Sequence, residues 1–185
     1  GGRETPDEGM IARMPNPTPD PETGIGRWTD AQIVAAIRDG RRPDGSLIGP
    51  PMPVLQYRDM SDEDARAIVA YLRGVKPVVN KVARSEYKFP LPPAWGPPVG
   101  KVAAPARDDK LAYGRYLATA LGHCIECHSP MGPKGPEVEA KPFQGGAVFK
   151  GPWGATVAPP LTAAHLGGWS DDEIRRAITT GVSRD

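Results

Sequence analysis

The chain has 185 residues, enough for one ordinary domain or two small ones. Lysines and arginines number 23 against 22 aspartates and glutamates, so charge gives no support for nucleic acid or an anionic membrane as a partner. No run of about 18 apolar residues occurs, which excludes a membrane-spanning helix in this sequence. The chain has 23 prolines, where average usage gives about nine, and such a chain builds a small core that a large apolar cofactor could complete.

The first predicted helix begins after a tryptophan, in the stretch GRWTDAQIVAAIRDG. Thr29 and Gln32 form a capping box, in which the hydroxyl caps a backbone N–H three residues on and the longer side chain reaches back. Apolar residues then recur at helical spacing. Gly40 suits the position that ends a helix, so this stretch predicts a short capped helix.

A proline-rich loop with a central methionine follows, in the stretch SLIGPPMPV. Met52 lies between Pro51 and Pro53. A methionine is usually core filler, but one on a proline-stiffened loop between two helices is better suited to presenting its sulfur to a metal. Met52 is therefore a candidate metal ligand, whereas Met60 directly precedes a helix cap and is predicted to pack there.

The next predicted helix begins after Ser61, which forms a capping pair with Asp64. Its apolar stripe comprises Ala65, Ile68, Val69 and Leu72. Gly74 ends the helix, and residues 77–106 then carry seven prolines, which rules out a regular helix there. We predict that 77–106 is a semi-extended linker pressed along a surface. The aromatic anchors of this linker would be Tyr87, Phe89 and Trp95.

A further helix, in DDKLAYGRYLATALG, runs directly into the stretch HCIECH. Cys124 and Cys127 are three residues apart, and His128 follows. One interpretation is a thioredoxin-like redox dithiol, but that motif normally follows a β-strand, and no strand is predicted here. Another is a structural zinc site completed by His123 and His128, although such sites usually take their second pair of ligands from a separate segment.

Covalent haem attachment uses the two cysteines and the following histidine together. The two thiols would add to the vinyl groups of the porphyrin, whose separation matches the gap between Cys124 and Cys127. His128 would then be the proximal ligand of the iron. The complementary axial ligand would be a thioether or a second imidazole, and Met52 is a thioether on a suitable loop.

The C-terminal stretch GGWSDDEIRRAITTGVSRD repeats the first predicted helix at an offset of 141 residues. Trp169 corresponds to Trp28, and Ser170 with Glu173 forms a second capping box. We expect the two tryptophans to start equivalent helices with inward-facing isoleucines. Those isoleucines are Ile33, Ile37, Ile174 and Ile178. His165, which precedes the second copy, is predicted to lie on a loop surface.

The order of elements resembles the class I c-type cytochromes, in particular the bacterial two- and three-haem proteins and subunits that serve periplasmic dehydrogenases. The stretches AYGRYLATALGHCIECHSP and GPPMPVLQYRDMSDEDARAIVAYLR carry this resemblance most specifically. It implies a mainly α fold of helical domains wrapped around haem, with long Pro-rich loops and little or no sheet. It also implies that Cys124 and Cys127 attach haem c, that His128 is the proximal iron ligand, and that Met52 is the distal ligand of another domain's haem.

In the family's order of elements, residues 1–76 correspond to the C-terminal part of a first cytochrome c domain. Residues 77–106 are the linker, and 107–185 correspond to the N-terminal part of a second domain. The resemblance places Gly114 and Tyr116 where the family's first helix crosses its last. The first part has no CxxCH and the second no GPPMP loop. We therefore expect an internal segment of a longer dihaem protein, with one haem c attached within this chain.

The function implied by the resemblance is electron transfer from a periplasmic dehydrogenase to a respiratory acceptor, such as a terminal oxidase or another cytochrome. The implied location is the bacterial periplasm, with or without association with the inner membrane. No signal peptide or membrane anchor is visible, which is uninformative for an internal segment. The alternative is a haem enzyme, either a dihaem peroxidase or a thiosulfate-oxidising cytochrome. Such an enzyme needs a catalytic acid–base group, for which His165 is the candidate.

Overall fold

A computed structural model describes residues 1–7, 9–133 and 135–184 of the chain. The chain divides into two compact units, Gly1–His123 and Cys124–Asp185. The division falls inside the HCIECH stretch, so the predicted linker 77–106 belongs to the first unit. The assignment of 1–76, 77–106 and 107–185 to parts of two cytochrome domains concerns a longer protein and stays a prediction.

The described residues form seven α-helices and one π-helix. The α-helices are α1 Asp30–Arg38, α2 Val54–Tyr57, α3 Asp62–Gly74, α4 Lys110–Tyr116, α5 Cys124–Cys127, α6 Ala163–Leu166 and α7 Asp171–Thr180, and the π-helix Leu117–Leu121 continues α4. Within the described ranges, no helix is both long enough and apolar enough to cross a membrane.

The strands are short and antiparallel. They are β1 Glu4–Asp7, β2 Met10–Arg13, β3 Glu86–Tyr87, β4 Met131–Gly132, β5 Gly135–Pro136, β6 Val148–Gly151 and β7 Gly154–Val157. The first three form one sheet in the order β1-β2-β3, while β4-β5 and β6-β7 are separate two-stranded pairs. The fold is therefore mainly helical, as predicted, with small sheets at its loops.

Both copies of the repeat form the predicted capped helix. In α1 the Thr29 hydroxyl accepts the backbone N–H of Gln32 at 3.2 Å, and the Gln32 amide oxygen accepts the Thr29 N–H at 2.8 Å. Ser170 and Glu173 make the same reciprocal pair at the start of α7. Each capping box satisfies backbone N–H groups that have no partner inside the helix, so both helices begin where the sequence predicts.

The tryptophan before each cap occupies an equivalent backbone turn. The Trp28 N–H donates to the Ile25 carbonyl at 3.0 Å, and the Trp169 N–H donates to the Leu166 carbonyl at 2.9 Å. Both bonds span three residues. The prediction that the two tryptophans start equivalent helices is thus confirmed at the level of local geometry.

The isoleucines of the two copies differ in burial. Ile33 is 3% exposed and packs in a cluster with Ile25 and Val69, the latter from α3. Ile178, in contrast, is 80% exposed, so the prediction that it faces inward is wrong. Helical periodicity identifies residues that share a face, but burial needs a neighbouring element. In the described part of the chain, α7 has no helix contact comparable with that between α1 and α3.

The start of α3 is tied to the end of α4 by a buried tyrosine. The Ser61 hydroxyl accepts the Asp64 N–H at 3.0 Å, as predicted for a cap. The Tyr116 hydroxyl donates to the Asp64 carboxylate at 2.6 Å and accepts the Ser61 N–H at 2.9 Å. A Cβ added to Gly114 would meet nothing within 4 Å. Among the described residues, Tyr116 makes the contact with α3. The predicted crossing at Gly114 involves the last helix of its own domain and stays a prediction.

Within the first unit, the proline-rich linker is held against the residues around Met52 through two of its three predicted anchors. The Tyr87 hydroxyl donates to the Pro50 carbonyl at 3.0 Å, and the Trp95 indole N–H donates to the Ile48 carbonyl at 2.9 Å. Phe89 is 41% exposed and contacts the Tyr87 ring. The linker is thus a fixed part of the unit, because side chains replace the backbone donors that its prolines lack.

Candidate functional site

The cysteine motif forms a single helical turn at the start of the second unit. Cys124–Cys127 is helix α5, and the His128 N–H donates to the Cys124 carbonyl at 2.9 Å, so the histidine completes the turn. Both thiols are free, with Cys124 exposed and Cys127 partly buried. Residues three apart in a helical turn are neighbours on one side of it. The turn therefore offers two adjacent thiols followed at once by an imidazole.

The imidazole of His128 is oriented by a backbone carbonyl. Its Nδ1 atom lies 2.7 Å from the carbonyl oxygen of Pro159. A carbonyl can only accept, so Nδ1 carries a proton, and in the neutral imidazole Nε2 then keeps its lone pair. This is the tautomer in which an imidazole binds a metal through Nε2, with the other nitrogen held by an outer hydrogen bond.

A short network of hydrogen bonds holds that carbonyl in place. The Gly145 N–H donates to the His128 carbonyl at 2.7 Å, and the Phe143 N–H donates to the hydroxyl of Ser129, which is fully buried. Two further bonds join this segment to the residues beside Pro159, from the Gly146 N–H to the Ala158 carbonyl and from the Leu161 N–H to the Phe143 carbonyl. The segment 143–146 therefore links the motif to the loop that carries Pro159.

Gly145 is required by the geometry of this link. Its φ is +71°, in the region that favours glycine. A Cβ added there would lie 2.6 Å from the Pro160 nitrogen and 2.8 Å from the Ala158 carbonyl oxygen. Sequence reasoning missed Ser129, Gly145 and Pro159. The pair of glycines at 145 and 146 was a usable signal for the turn, but a backbone carbonyl that accepts a hydrogen bond has no signature in side-chain identity.

The predicted methionine ligand belongs to the first unit. The Met52 N–H donates to the Gly49 carbonyl at 3.3 Å, and its carbonyl accepts the Val54 N–H at 2.8 Å. Its side chain is partly buried, between an exposed Pro51 and a buried Pro53. Met52 is thus held on a tight turn that leads into α2.

Comparison with known proteins finds relatives that are named as cytochromes or cytochrome subunits. No protein-family model matches the sequence. The cytochrome c subunit of alcohol dehydrogenase (quinone) from Gluconacetobacter polyoxogenes is 37% identical in an alignment 183 residues long. The alignment covers 90% of this chain and 39% of that protein. A diheme cytochrome c-type protein from Cereibacter sphaeroides is 32% identical in an alignment 199 residues long. The alignment covers 100% of this chain and 64% of the relative. The chain belongs to the bacterial c-type cytochromes.

A third relative of this cytochrome is the cytochrome c subunit of gluconate 2-dehydrogenase from Pantoea cypripedii, 32% identical over 183 residues, which cover 90% of the chain and 42% of that protein. The cytochrome chain therefore spans less than two thirds of the length of each of these relatives. Its cofactor is covalently bound haem c, as predicted. The second unit fits that group, since it combines two free thiols on one turn with an imidazole whose Nε2 is left to bind iron.

The two other interpretations of the motif find no support in the cytochrome's structure. Burial raises the pKa of the Cys127 thiol, and the charges of Glu126 and Cys124 add to this effect. A redox-active dithiol needs the opposite shift, because the thiolate is the reactive form. For a zinc site, no three His, Cys, Asp or Glu side chains are grouped so as to hold a metal ion anywhere in residues 1–7, 9–133 and 135–184.

The approach to the motif contains a feature that sequence reasoning missed. The predicted helix does not stay α-helical, because Leu117–Leu121 is a π-helix whose last turn closes with the Gly122 N–H on the Leu117 carbonyl at 2.7 Å. His123 then adopts a φ of +40°, and its ring meets that of Tyr57 edge-on at 5.6 Å between centroids. Such single π-turns often occur at functional sites.

The alternative candidate, His165, lies on the surface. It is exposed at the end of helix α6, so the predicted surface position is confirmed although the backbone is helical and not a loop. Its ring is 6.5 Å from that of Trp169.

Proposed function

We propose that this cytochrome chain transfers electrons, with Cys124 and Cys127 holding haem c as thioethers and His128 binding its iron through Nε2. The bond from His128 Nδ1 to the Pro159 carbonyl carries this proposal, because it selects the metal-binding tautomer directly beside two free thiols. When bound, haem supplies one-electron chemistry between ferric and ferrous iron. No substrate bond is made or broken.

The chain's own residues would set the reduction potentials of the haems. The Pro159 carbonyl increases the basicity of the His128 imidazole, which favours the more highly charged ferric state. We propose that Met52 is the distal ligand of a haem held by the first cytochrome domain. A thioether ligand raises the reduction potential, so Met52 would raise the potential of the first domain's haem, whereas the Pro159–His128 bond would lower that of the second domain's haem.

We propose that the electrons come from a periplasmic dehydrogenase and go to a respiratory acceptor, either a terminal oxidase or another cytochrome. Two of the relatives are named as dehydrogenase subunits, one of alcohol dehydrogenase (quinone) and one of gluconate 2-dehydrogenase. The periplasm is the matching compartment, because bacteria attach haem c on the outer side of the inner membrane. Encounters between electron carriers usually use small, transient interfaces.

The test mixes the oxidised, haem-loaded protein, expressed from its complete coding sequence, with a reduced dehydrogenase catalytic subunit. The dehydrogenases to try are of the two kinds named for the relatives, alcohol dehydrogenase (quinone) and gluconate 2-dehydrogenase. Appearance of the ferrous spectrum is followed by stopped flow. We expect rapid reduction in the wild type and a clear loss in amplitude in His128→Ala. His165→Ala is the matched control, since that histidine lies exposed in the same unit, and it should behave as wild type.

Two results would contradict the proposal. One is reduction of His128→Ala with the same amplitude and potential as wild type. The other is turnover of peroxide or thiosulfate by the wild-type protein at an enzymatic rate, which would identify a haem enzyme instead of a carrier.

A further inference from the structure

The loop that carries Met52 has few backbone donors of its own. We define the Met52 loop as residues 47–53, LIGPPMP. Three of its residues are prolines, which have no N–H to donate. Carbonyl groups in such a loop depend on donors from elsewhere, because unpaired backbone groups are costly to bury. The position of the Met52 sulfur therefore depends on what surrounds the loop.

Four consecutive carbonyls of the Met52 loop each accept a hydrogen bond. The pairs are Leu47 with the Arg42 guanidinium at 2.5 Å, Ile48 with the Trp95 indole at 2.9 Å, Gly49 with the Met52 N–H at 3.3 Å, and Pro50 with the Tyr87 hydroxyl at 3.0 Å. Two of these donors, Tyr87 and Trp95, come from the proline-rich linker. They bind the carbonyl groups of Ile48 and Pro50, which precede Met52 in the loop.

The same two rings also pack directly against glycine backbone. A Cβ added to Gly49 would lie 2.7 Å from the Cζ atom of Tyr87 and 2.8 Å from Leu91. A Cβ added to Gly40 would lie 2.7 Å from the Trp95 ring. The contact at Gly49 leaves no room for the loop to shift toward the Tyr87 ring, and the contact at Gly40 seats Trp95 against the end of α1.

The linker is itself anchored to the helices of the first unit. Its backbone hydrogen-bonds to side chains or backbone of α1, α2 and α3 and the residues flanking them, which gives it a rigid base. These bonds join the Pro97 carbonyl to Arg58, the Val99 N–H to Asp39 at 2.9 Å, the Gly100 carbonyl to Arg38 at 3.0 Å, and the Val102 carbonyl to the Asp62 N–H at 2.9 Å. Residues 84–102 of the linker are thus attached to the rest of the first unit at several positions.

We propose that residues 84–102 are a brace for the Met52 loop, and that Tyr87 and Trp95 are positioning residues that hold the Met52 sulfur at a haem iron. This inference rests on the proposed role of Met52 as a distal ligand. A state in which the loop backbone moves and carries Met52 away from the iron breaks the bonds to the Ile48 and Pro50 carbonyls. The brace therefore lowers the population of the ligand-free state, and with it the access of foreign ligands to the iron.

The test uses Tyr87→Phe and Trp95→Phe in the ferric, haem-loaded protein expressed from its complete coding sequence. Imidazole is the probe, because it binds ferric iron when the methionine leaves. The readouts are the apparent imidazole affinity and the near-infrared sulfur-to-iron charge-transfer band. Loss of one hydrogen bond should tighten imidazole binding about three- to tenfold, and the double variant should exceed either single one. Tyr87→Phe keeps the ring, so it isolates the hydroxyl.

The matched controls are Tyr71→Phe and Trp153→Phe, since both side chains are largely exposed. Met52→Ala defines which part of the band and of the imidazole binding belongs to this loop. If Met52→Ala leaves both unchanged, the proposed ligand role fails. If Met52→Ala abolishes its share but the Tyr87 and Trp95 variants match their controls, the ligand role stands and the brace is overturned.

Discussion

The Nδ1 atom of His128 lies 2.7 Å from the carbonyl oxygen of Pro159, 31 residues further along the chain. This bond fixes both the tautomer and the orientation of the imidazole, because a short hydrogen bond needs the N–H to point at its acceptor. The second unit therefore holds its proposed iron ligand in a binding orientation through its own backbone. Changes that move the Pro159 carbonyl should appear in the properties of the attached haem.

Gly145→Ala should displace that carbonyl. The new Cβ would overlap the backbone of Pro160 and Ala158, and φ is +71°. Weakening a bond worth about 0.5–1.5 kcal/mol should raise the potential of the attached haem by at most roughly 20–60 mV, at about 59 mV per factor of ten for one electron. The measurement is a spectroelectrochemical titration. Gly154→Ala is the control, because its φ is +100° but its Cβ would meet nothing within 4 Å; an equal shift there would remove the argument.

The double change Cys124→Ser/Cys127→Ser should abolish covalent haem attachment in residues 1–185, since these are the chain's only cysteines. The measurement is haem staining after denaturing electrophoresis, with metal analysis of the native protein. We expect a stained band and iron in the wild type, and neither in the double variant. Stoichiometric zinc in the wild type would show that the cytochrome assignment of these thiols is wrong.

Tyr116→Phe should destabilise the first unit by about 1–3 kcal/mol, because it leaves the buried Ser61 N–H and the Asp64 carboxylate without the tyrosine hydroxyl. Urea unfolding followed by circular dichroism gives the size of the effect. Hydrogen exchange at the Ser61 amide gives its location. Tyr71→Phe, at an exposed tyrosine, should stay within about 0.5 kcal/mol of wild type. Unchanged protection at Ser61 would contradict the prediction.

The stability of the first unit should depend on Asp64 at acidic pH. The Tyr116 hydroxyl, followed by that of Ser61, holds the pKa of the Asp64 carboxyl below its ordinary 3.8. Its contribution to the free energy of unfolding is therefore fully present above that ordinary value, and it is lost as the pH falls toward the lowered pKa of the folded chain. Asp64→Asn should flatten this part of the pH profile, whereas the exposed Asp59→Asn should not.

Features written into local side-chain patterns could be predicted from the sequence. The caps of α1 and α7 depend on residues three apart, and the cysteine motif depends on five consecutive residues, so both were found. The anchors Tyr87 and Trp95 were also found, since large aromatic side chains in a proline-rich segment without a core of its own pack against neighbouring residues.

Features that depend on a distant partner could not be found this way. Ile178 shares a face with Ile174, but the sequence does not say whether another element covers that face, and Ile178 is exposed. The Pro159 carbonyl was missed because every residue has a carbonyl. Only the folded path of residues 143–161 shows which one meets His128.

The π-helix before the cysteine motif limits the deletions that this part of the sequence can accept. Its closing bond, from the Gly122 N–H to the Leu117 carbonyl at 2.7 Å, accommodates one residue more than an α-helical turn. Each residue of an α-helix turns the chain by about 100°. Deletion of one residue from Leu117–Leu121 would restore α-helical bonding and rotate the point at which the chain leaves the helix by about that angle. Surface loops elsewhere tolerate gaps. Between Tyr116 and His123 we therefore expect substitutions at exposed positions to be tolerated better than deletions.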